Sequence, residues 1–331
     1  MLKKRLVVLA GILCIAVILG GCGKKKEELS VSRTSYALNT EVQIQLFGTD
    51  DEELLTDCLR LCNEYEKKLS RTMENSEIWL LNKEKEYVVS DETLEVIKKG
   101  LYYSKLSGGA FDITIEPISS LWDFTAKEPK LPDADRIAEY LKYVDYSKVQ
   151  IDGNRVALEK NMGLDLGAIA KGYIADRLKD YILEQGIESA YINLGGNVLC
   201  VGEKLSGEAF RIGIRDPQSN SKLKAVISVS DKSVVTSGDY QRYMTIDGKK
   251  YHHILNPRTG YSYENNLSSV TIISDLSVDG DGLSTTCFAL GLEKGLELIN
   301  SLDNVWAMFI DSDGNITYSD GFKENIPCKE Y

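Results

Sequence analysis

Apolar side chains recur at helical spacing after Gly167, which predicts a helix there. Its N-terminus falls near Gly167, and Gly186 stands where a C′ glycine would end it. The first amides of such a helix lack internal partners and lie at the positive end of the dipole, which suits a phosphate or pyrophosphate. An ordinary strand-to-helix turn, with glycines for packing, is the alternative, and this stretch alone favours it. The apolar positions are Ile169, Tyr173, Ile174, Leu178, Tyr181 and Ile182.

The pattern along the rest of the chain mixes helices and strands without strict βαβ alternation. Helices are predicted over 50–69, 91–106, 134–144, 281–290 and 292–302. Strands are predicted over 36–46, 190–194, 210–214, 225–229, 243–246, 251–255 and 268–273, with hairpins over 149–158 and 305–319. This order predicts an α+β fold.

The N-terminus has the pattern of a bacterial lipoprotein signal. Basic residues at 3–5 precede an apolar run over 6–19, and Leu19-Gly20-Gly21-Cys22 resembles a lipobox, in which the cysteine is lipidated and becomes the first mature residue. An uncleaved membrane anchor is the alternative, but the run is short for a span. We expect a signal peptide over 1–21, a lipidated tether over 22–30 and a domain over 31–331. Cys22 would attach this domain to the extracytoplasmic face of the cell membrane.

Charge and cysteine content exclude two classes of protein. The formal net charge is −11, whereas a nucleic-acid surface needs a basic footprint. Cys58 and Cys62 share one helix face with apolar residues, so they are predicted to be buried thiols rather than a disulfide. The remaining cysteines show neither a pairing pattern nor metal-ligand spacing, so a disulfide-stapled scaffold is not expected.

The two histidines of the chain, His252 and His253, are adjacent in a predicted strand before a turn-rich loop. Neighbouring strand residues point to opposite faces, so at most one imidazole lines a given pocket. That imidazole could orient a phosphate or accept a proton. A histidine at the surface end of a strand is the alternative, and the pair alone favours it.

Asp281 and Thr285 are four residues apart on a predicted helix and therefore share one face. A carboxylate and a hydroxyl are hard oxygen ligands, which suit Mg²⁺ rather than Zn²⁺. Asp281 capping the first turn of its own helix is the alternative, and it is favoured when the pair is taken alone.

A third candidate site lies in the predicted turn over 109–114. Phe111 could stack on a flat ring, and Asp112 could accept a hydrogen bond from that ring. A core phenylalanine beside a turn-forming aspartate is the alternative, and again it is favoured in isolation.

In combination these stretches resemble the ApbE family of FAD:protein FMN transferases, which are often bacterial lipoproteins. The matches follow the order of the family and span most of the mature chain. The Ala-Lys-Gly-Tyr and His-Ile-Leu-x-Pro-Arg-Thr-Gly stretches are the most specific. The matching stretches are 109–112, Asp165-Leu166-Gly167-Ala168-Ile169-Ala170-Lys171-Gly172-Tyr173, 193–197, 237–240, His253-Ile254-Leu255-Asn256-Pro257-Arg258-Thr259-Gly260 and 281–285.

The resemblance implies a single α+β, T-fold-like domain of mostly antiparallel sheets flanked by helices. It implies cleavage of FAD with Mg²⁺ and transfer of FMN, through a phosphoester bond, to a threonine of an exported partner protein, with release of AMP. It places the metal on the Ala168 carbonyl, Asp281 and Thr285. Asp281 and His253 are both candidates for the general base. The flavin nucleotide is implied near Leu38, Thr72, Ala110, Phe111, Asp112, Asp165, Lys171 and Leu255.

Two positions depart from the family pattern. Leu38-Asn39-Thr40 stands where Met-Gly-Thr is common, and Asn256 stands where Asp is usual. These differences affect details of flavin contact rather than the class of protein. An FAD-binding or FAD-hydrolysing lipoprotein shares every motif and remains the alternative function. A non-enzymatic solute-binding lipoprotein is a third, and it predicts two lobes.

Overall fold

The computed structural model describes residues 29–219 and 221–331. The signal peptide predicted over 1–21 and the lipidated Cys22 lie outside the described residues, as does most of the tether. Within the described part of the chain, no helix has the length and apolar character needed to cross a membrane.

Helices and strands alternate irregularly along the chain. The described residues contain nine α-helices: α1 Glu52–Leu69, α2 Glu77–Glu84, α3 Asp91–Leu106, α4 Glu116–Ser119, α5 Ala134–Tyr140, α6 Ala170–Glu184, α7 Ser277–Leu290, α8 Leu292–Asn300 and α9 Phe322–Asn325. The same residues contain sixteen strands: β1 Ser30–Ala37, β2 Thr40–Phe47, β3 Glu86–Val88, β4 Gln150–Asp152, β5 Arg155–Ala157, β6 Ala190–Leu194, β7 Asn197–Val201, β8 Phe210–Arg215, β9 Leu223–Val229, β10 Ser233–Gly238, β11 Tyr243–Ile246, β12 Lys249–His252, β13 Leu267–Ser274, β14 Trp306–Asp311, β15 Ile316–Tyr318 and β16 Cys328–Glu330.

An eight-stranded antiparallel sheet forms the centre, in the order β1-β2-β6-β7-β10-β13-β14-β15. Successive residues of a strand point to opposite faces, and both faces of this sheet are covered. Ile272 of β13 packs with the helices on one face, whereas Ile273 packs with β8 and β9 on the other. All eight residues of β13 are therefore buried. Smaller sheets of order β16-β9-β8, β3-β5-β4 and β11-β12 complete the described fold, which confirms the α+β prediction.

The helices α6 and α7 pack closely and exchange their N-terminal caps. Neither helix has a side-chain cap from its own N-cap residue. Asp176 of α6 instead accepts hydrogen bonds from the N–H groups of Ser277 and Val278, at 2.7 and 2.8 Å. Asp281 of α7 in turn accepts one from the N–H of Gly172, at 2.9 Å. Each carboxylate thus satisfies orphan amides at the start of the other helix.

Glycine at position 172 makes that approach possible. A Cβ there would lie 2.3 Å from the carbonyl oxygen of Ser277, a distance that real Cβ atoms do not adopt. The small residue is therefore needed for helix packing. This supports the packing interpretation of one glycine in the 163–172 stretch.

Four predicted boundaries are wrong. The strand predicted over 251–255 is β12, which ends at His252, so His253 lies just beyond it. The strand predicted over 36–46 is the β1–β2 hairpin, because Leu38 and Asn39 both adopt positive φ, at 54° and 55°, and turn the chain. The helix predicted from 281 begins at Ser277, so Asp281 lies inside α7. The α6 helix begins at Ala170 rather than near Gly167, after a turn over 167–169. The helix α2 and the strands β7 and β10 were not predicted.

Other predictions are confirmed. The bounds of α3 and β6 match, Gly186 has φ of +77° directly after the α6 C-cap, and Cys58 and Cys62 are fully buried without a disulfide.

Candidate active site

The first turn of α6 and the middle of α7 bring Lys171 and Asp281 together. Lys171 Nζ lies 3.5 Å from Asp281 Oδ1, while Asp281 Oδ2 accepts the hydrogen bond from Gly172. Asp281 is only 4% exposed. The interpretation of Asp281 as the cap of its own helix is wrong, because the carboxylate caps α6 instead.

Polar backbone groups are free at the start of α6. Gly172 is the third residue of this helix, so its N–H is one of the orphan amides, and the Ala168 carbonyl lies just before the helix. Within the described residues, that carbonyl accepts no hydrogen bond, and the N–H groups of Ala168 and Lys171 donate none. This helix end therefore presents one free acceptor and two free donors. Free N–H groups at a helix N-terminus suit an anion such as a phosphate.

The oxygen atoms at this end of α6 fit Mg²⁺. They are the Ala168 carbonyl, the Asp281 carboxylate and, one helical turn further along α7, the Thr285 hydroxyl. Hard oxygen donors are those Mg²⁺ prefers, and it takes its remaining ligands from phosphate and water. No group of three or more His, Cys, Asp or Glu side chains suited to a metal occurs among the described residues. A cation held here would therefore depend on one carboxylate and on neutral oxygens.

Two serines support Thr285 from behind. Ser237, at the end of β10, places its Oγ 3.1 Å from Thr285 Oγ1 and 2.9 Å from Ser284 Oγ. The Ser284 hydroxyl also donates to the Asp281 carbonyl, at 3.0 Å. The Ser237-Gly238 motif was noted in the sequence only through the family resemblance, and its strand was not predicted.

Asp165 is held by groups from three parts of the chain. Its Oδ2 lies 2.8 Å from Arg71 Nε and accepts a hydrogen bond from Ser119, while Oδ1 accepts one from the Gly167 N–H at 2.9 Å. Asp165 therefore fixes the turn that leads into α6. Sequence reasoning did not single out Arg71, and only the fold brings it to this carboxylate.

The 110–112 segment is tied into the core. Phe111 is 4% exposed, and its ring centroid lies 6.2 Å from that of Tyr103. Asp112 accepts hydrogen bonds from Thr114 and from the N–H of Tyr146, and burial raises its pKa. Both side chains thus match the alternative of a core phenylalanine and a turn-forming aspartate. Their contact with a flavin stays a prediction.

Leu38 and Thr72, two of the positions that the resemblance implies near the flavin nucleotide, line one hollow on the surface, and their contact with a nucleotide stays a prediction. The Glu66 carboxylate accepts a hydrogen bond from the Leu38 N–H, at 3.2 Å, and so supports the β1–β2 turn. Arg242 donates to the Asn39 carbonyl at 2.9 Å, which ties this turn to the segment before β11. Asn39 and Glu66 also line the hollow, together with Tyr36, Ala37, Asn63, Ser70 and Met73.

The two histidines lie in different environments, His252 at the end of β12 and His253 just after it. His252 is 5% exposed, and its Nε2 lies 2.9 Å from the Tyr263 carbonyl. The Nδ1 of His253 lies 3.2 Å from the Arg242 carbonyl. A carbonyl cannot donate, so the neutral His253 ring carries its proton on Nδ1 and leaves Nε2 as an acceptor. Leu255, two residues on, is buried in a separate apolar cluster with Ile118, Trp122, Ile137 and Met244.

The structure therefore brings Lys171, Asp281 and the 165–168 turn together at the start of α6, with Thr285 one helical turn beyond Asp281 on α7. Burial lowers the pKa of His253 to about 4, and the positive charges of Arg242 and Lys171 add to this effect. The hollow with Leu38 and Thr72 is connected to the histidine segment through Arg242.

This architecture and arrangement are those of a known family of proteins. The ApbE family model matches residues 38–309, so the chain belongs to the ApbE family. An FAD:protein FMN transferase of Treponema pallidum is 32% identical over 339 residues, covering 95% of this chain and 94% of that protein. One from Klebsiella pneumoniae is 35% identical over 295 residues, covering 87% and 91%. The structure of the flavin transferase ApbE from Vibrio cholerae superposes with a TM-score of 0.80 at 27% identity, covering 90% of this chain and 99% of that one.

His253 is expected to stay neutral in the native protein until the pH approaches 4, and burial lowers the pKa of His252 as well. A histidine whose pKa in the folded protein lies below the usual 6.5 binds a proton more weakly than it does in the unfolded chain. The free energy of unfolding therefore falls as the pH falls from about 6.5 towards 4. Histidine NMR on the full chain between pH 4 and 8 checks this, because only two imidazoles contribute. His253→Gln assigns the signals. A His253 signal that titrates near pH 6.5 contradicts the expected environment.

Proposed function

We propose that this chain is an FAD:protein FMN transferase. It cleaves the pyrophosphate of FAD and attaches FMN, through a phosphoester bond, to a threonine of an exported protein, releasing AMP. The observation that carries the proposal is that free helix-end amides lie near the oxygen donors of Ala168, Asp281 and Thr285. The amides suit an anion and the oxygen donors suit a hard cation, and transfer from a pyrophosphate requires both. The names of the relatives support the same activity.

The residues around α6 have separate roles in this proposal. Phosphoryl transfer needs mainly positioning and neutralisation of charge. The free N–H groups of Ala168 and Lys171 bind phosphate oxygens, and the Lys171 ammonium adds positive charge to an acidic protein. Ala168, Asp281 and Thr285 hold Mg²⁺, which when bound neutralises phosphate charge.

His253 is the better placed of the two candidate bases. Both carboxylate oxygens of Asp281 already have partners, in Gly172 and Lys171. The Nε2 of His253 is an unprotonated acceptor at neutral pH, because burial holds the pKa of the ring at about 4. We assign His253 to receive the proton of the acceptor hydroxyl and Asp281 to hold the cation. A loose transition state needs only modest assistance of this kind.

The solute-binding alternative is not supported, because it predicts two lobes whereas one sheet continues from β1 to β15. FAD hydrolysis or storage uses the same motifs and must be separated by experiment. Storage has little use for oxygen donors that would hold a cation beside the phosphate-binding end of α6.

Transfer is expected to need a second substrate. The full chain with FAD and Mg²⁺ alone should release AMP slowly or not at all. With an exported protein that carries an accessible threonine, AMP and protein-bound FMN should rise in equal amounts, measured by chromatography and intact mass. Replacing that threonine with alanine is the control and should abolish both. Rapid AMP release without an acceptor would instead make the chain a pyrophosphatase, and tight FAD binding with no AMP would leave storage.

The Thr285 hydroxyl is expected to be needed at limiting Mg²⁺. Thr285→Val keeps the shape of the side chain but removes its oxygen ligand, so activity should fall at least about tenfold, since even indirect partners of a metal are worth that much. Thr285→Ser keeps the hydroxyl and serves as the matched control, which should recover most of the rate. Activity measured against Mg²⁺ concentration checks this. Equal rates for the valine and serine variants at low Mg²⁺ would exclude Thr285 as a ligand.

The chain is proposed to be a membrane-anchored lipoprotein with its domain on the extracytoplasmic face. The support is the Leu19-Gly20-Gly21-Cys22 sequence behind a basic and apolar leader. Cys22→Ser should release the protein from the membrane or leave it unprocessed, as fractionation and intact mass would detect. A protein whose membrane fraction and mass are the same as those of the unchanged chain would rule out this anchor.

A further inference from the structure

The hydroxyl groups behind Thr285 form a relay whose direction is fixed by chemistry. Each hydroxyl has a single proton to donate, and a carbonyl has none. The Ser284 hydroxyl bonds to the Asp281 carbonyl, so its proton is committed there. The Ser237 hydroxyl must then donate to Ser284. Ser237 has no proton left for its 3.1 Å contact with Thr285, so Thr285 must be the donor in that bond.

The direction of these hydrogen bonds determines whether Thr285 can bind a cation. A hydroxyl that donates its proton to a protein group directs its lone pairs away from that group, and a cation binds to those lone pairs. A hydroxyl that accepts a hydrogen bond loses one of them. Ser284 is completely buried, so water does not compete for the end of the relay. The Asp281 residue contributes twice, through its carboxylate and through the carbonyl that terminates the relay.

We infer that Ser237 is a positioning residue, which takes the Thr285 proton and so presents the Thr285 oxygen to the divalent cation. The inference rests on the proposed function, in which that cation accompanies FAD. It extends the cation site to a strand that contributes none of the proposed ligands. Residues that orient the ligands of a metal typically change its affinity about ten- to a hundredfold.

Cation binding rather than turnover is the direct test. Mn²⁺ bound to the full chain, with and without FAD, is measured by electron paramagnetic resonance. Ser237→Ala is expected to weaken Mn²⁺ binding about tenfold, the lower end of the effect expected for an orienting partner. Ser284→Ala leaves the Thr285 contact in place but frees the Ser237 proton to reverse direction, so it should weaken binding less. Ser269→Ala removes a buried hydroxyl from the adjacent strand β13 outside the relay and should bind Mn²⁺ as the unchanged chain does.

A double-mutant cycle separates positioning from general destabilisation. In the Thr285→Val background Ser237→Ala should have no further effect on Mn²⁺ affinity, because the hydroxyl to be oriented is gone. Additive effects, or a Ser237→Ala protein that binds Mn²⁺ unchanged, would overturn the inference while leaving the proposed transferase intact. An unchanged chain that binds no Mn²⁺ even with FAD would overturn the inference together with the proposed cation site, and FMN transfer measured in parallel would show whether the transferase function survives without a cation. Thermal unfolding of each variant without Mn²⁺ shows that the fold is retained.

Discussion

The fold and the candidate site both depend on reciprocal capping, in which an aspartate of α6 and an aspartate of α7 each accept hydrogen bonds from the first amides of the other helix. Asp176 satisfies the first amides of α7, and Asp281 satisfies an amide of α6. Burial raises the pKa of Asp176 to about 6, so placing this carboxylate between the helices has a cost that its two hydrogen bonds offset only in part. Close approach at Gly172 keeps both sets of bonds short. The helices are therefore locked in one relative position, and α7 is in turn packed on β10 and β13 of the main sheet.

The same reciprocal capping shapes the candidate active site. The Gly172 N–H, an orphan amide of α6, is bonded to Asp281, and among the described residues the Ala168 carbonyl just before the helix accepts no hydrogen bond. One structural hydrogen bond thus places a carboxylate beside a free carbonyl, with Lys171 3.5 Å from that carboxylate. Asp281 thus serves both helix packing and the candidate active site. A substitution at Asp281 would change the start of α6 as well as the oxygen donors, whereas the Thr285 hydroxyl can be removed with less effect on helix packing.

Local chemistry explains which elements were predicted correctly. The α3 helix has a Ser90 cap, acidic residues in its first turn and glycines directly after it, so all local signals agree. The β1–β2 hairpin carries no glycine at its turn, and Leu38 is held at positive φ with its N–H bonded to Glu66. That bond joins residues far apart in the chain. The start of α7 was missed for the same reason, since Asp176 on another helix supplies its cap.

The sequence by itself determined the α+β class, the buried thiols of α1 and, through its motifs, the family of the chain. These are properties of spacing and residue type, which persist wherever the elements pack. Only the tertiary structure decided that Asp281 caps α6, that Arg71 holds Asp165 and that Ser237 contacts Thr285. Each of these contacts joins elements separated by long stretches of chain. Their geometry follows from helix and sheet packing, which no local pattern of residues encodes.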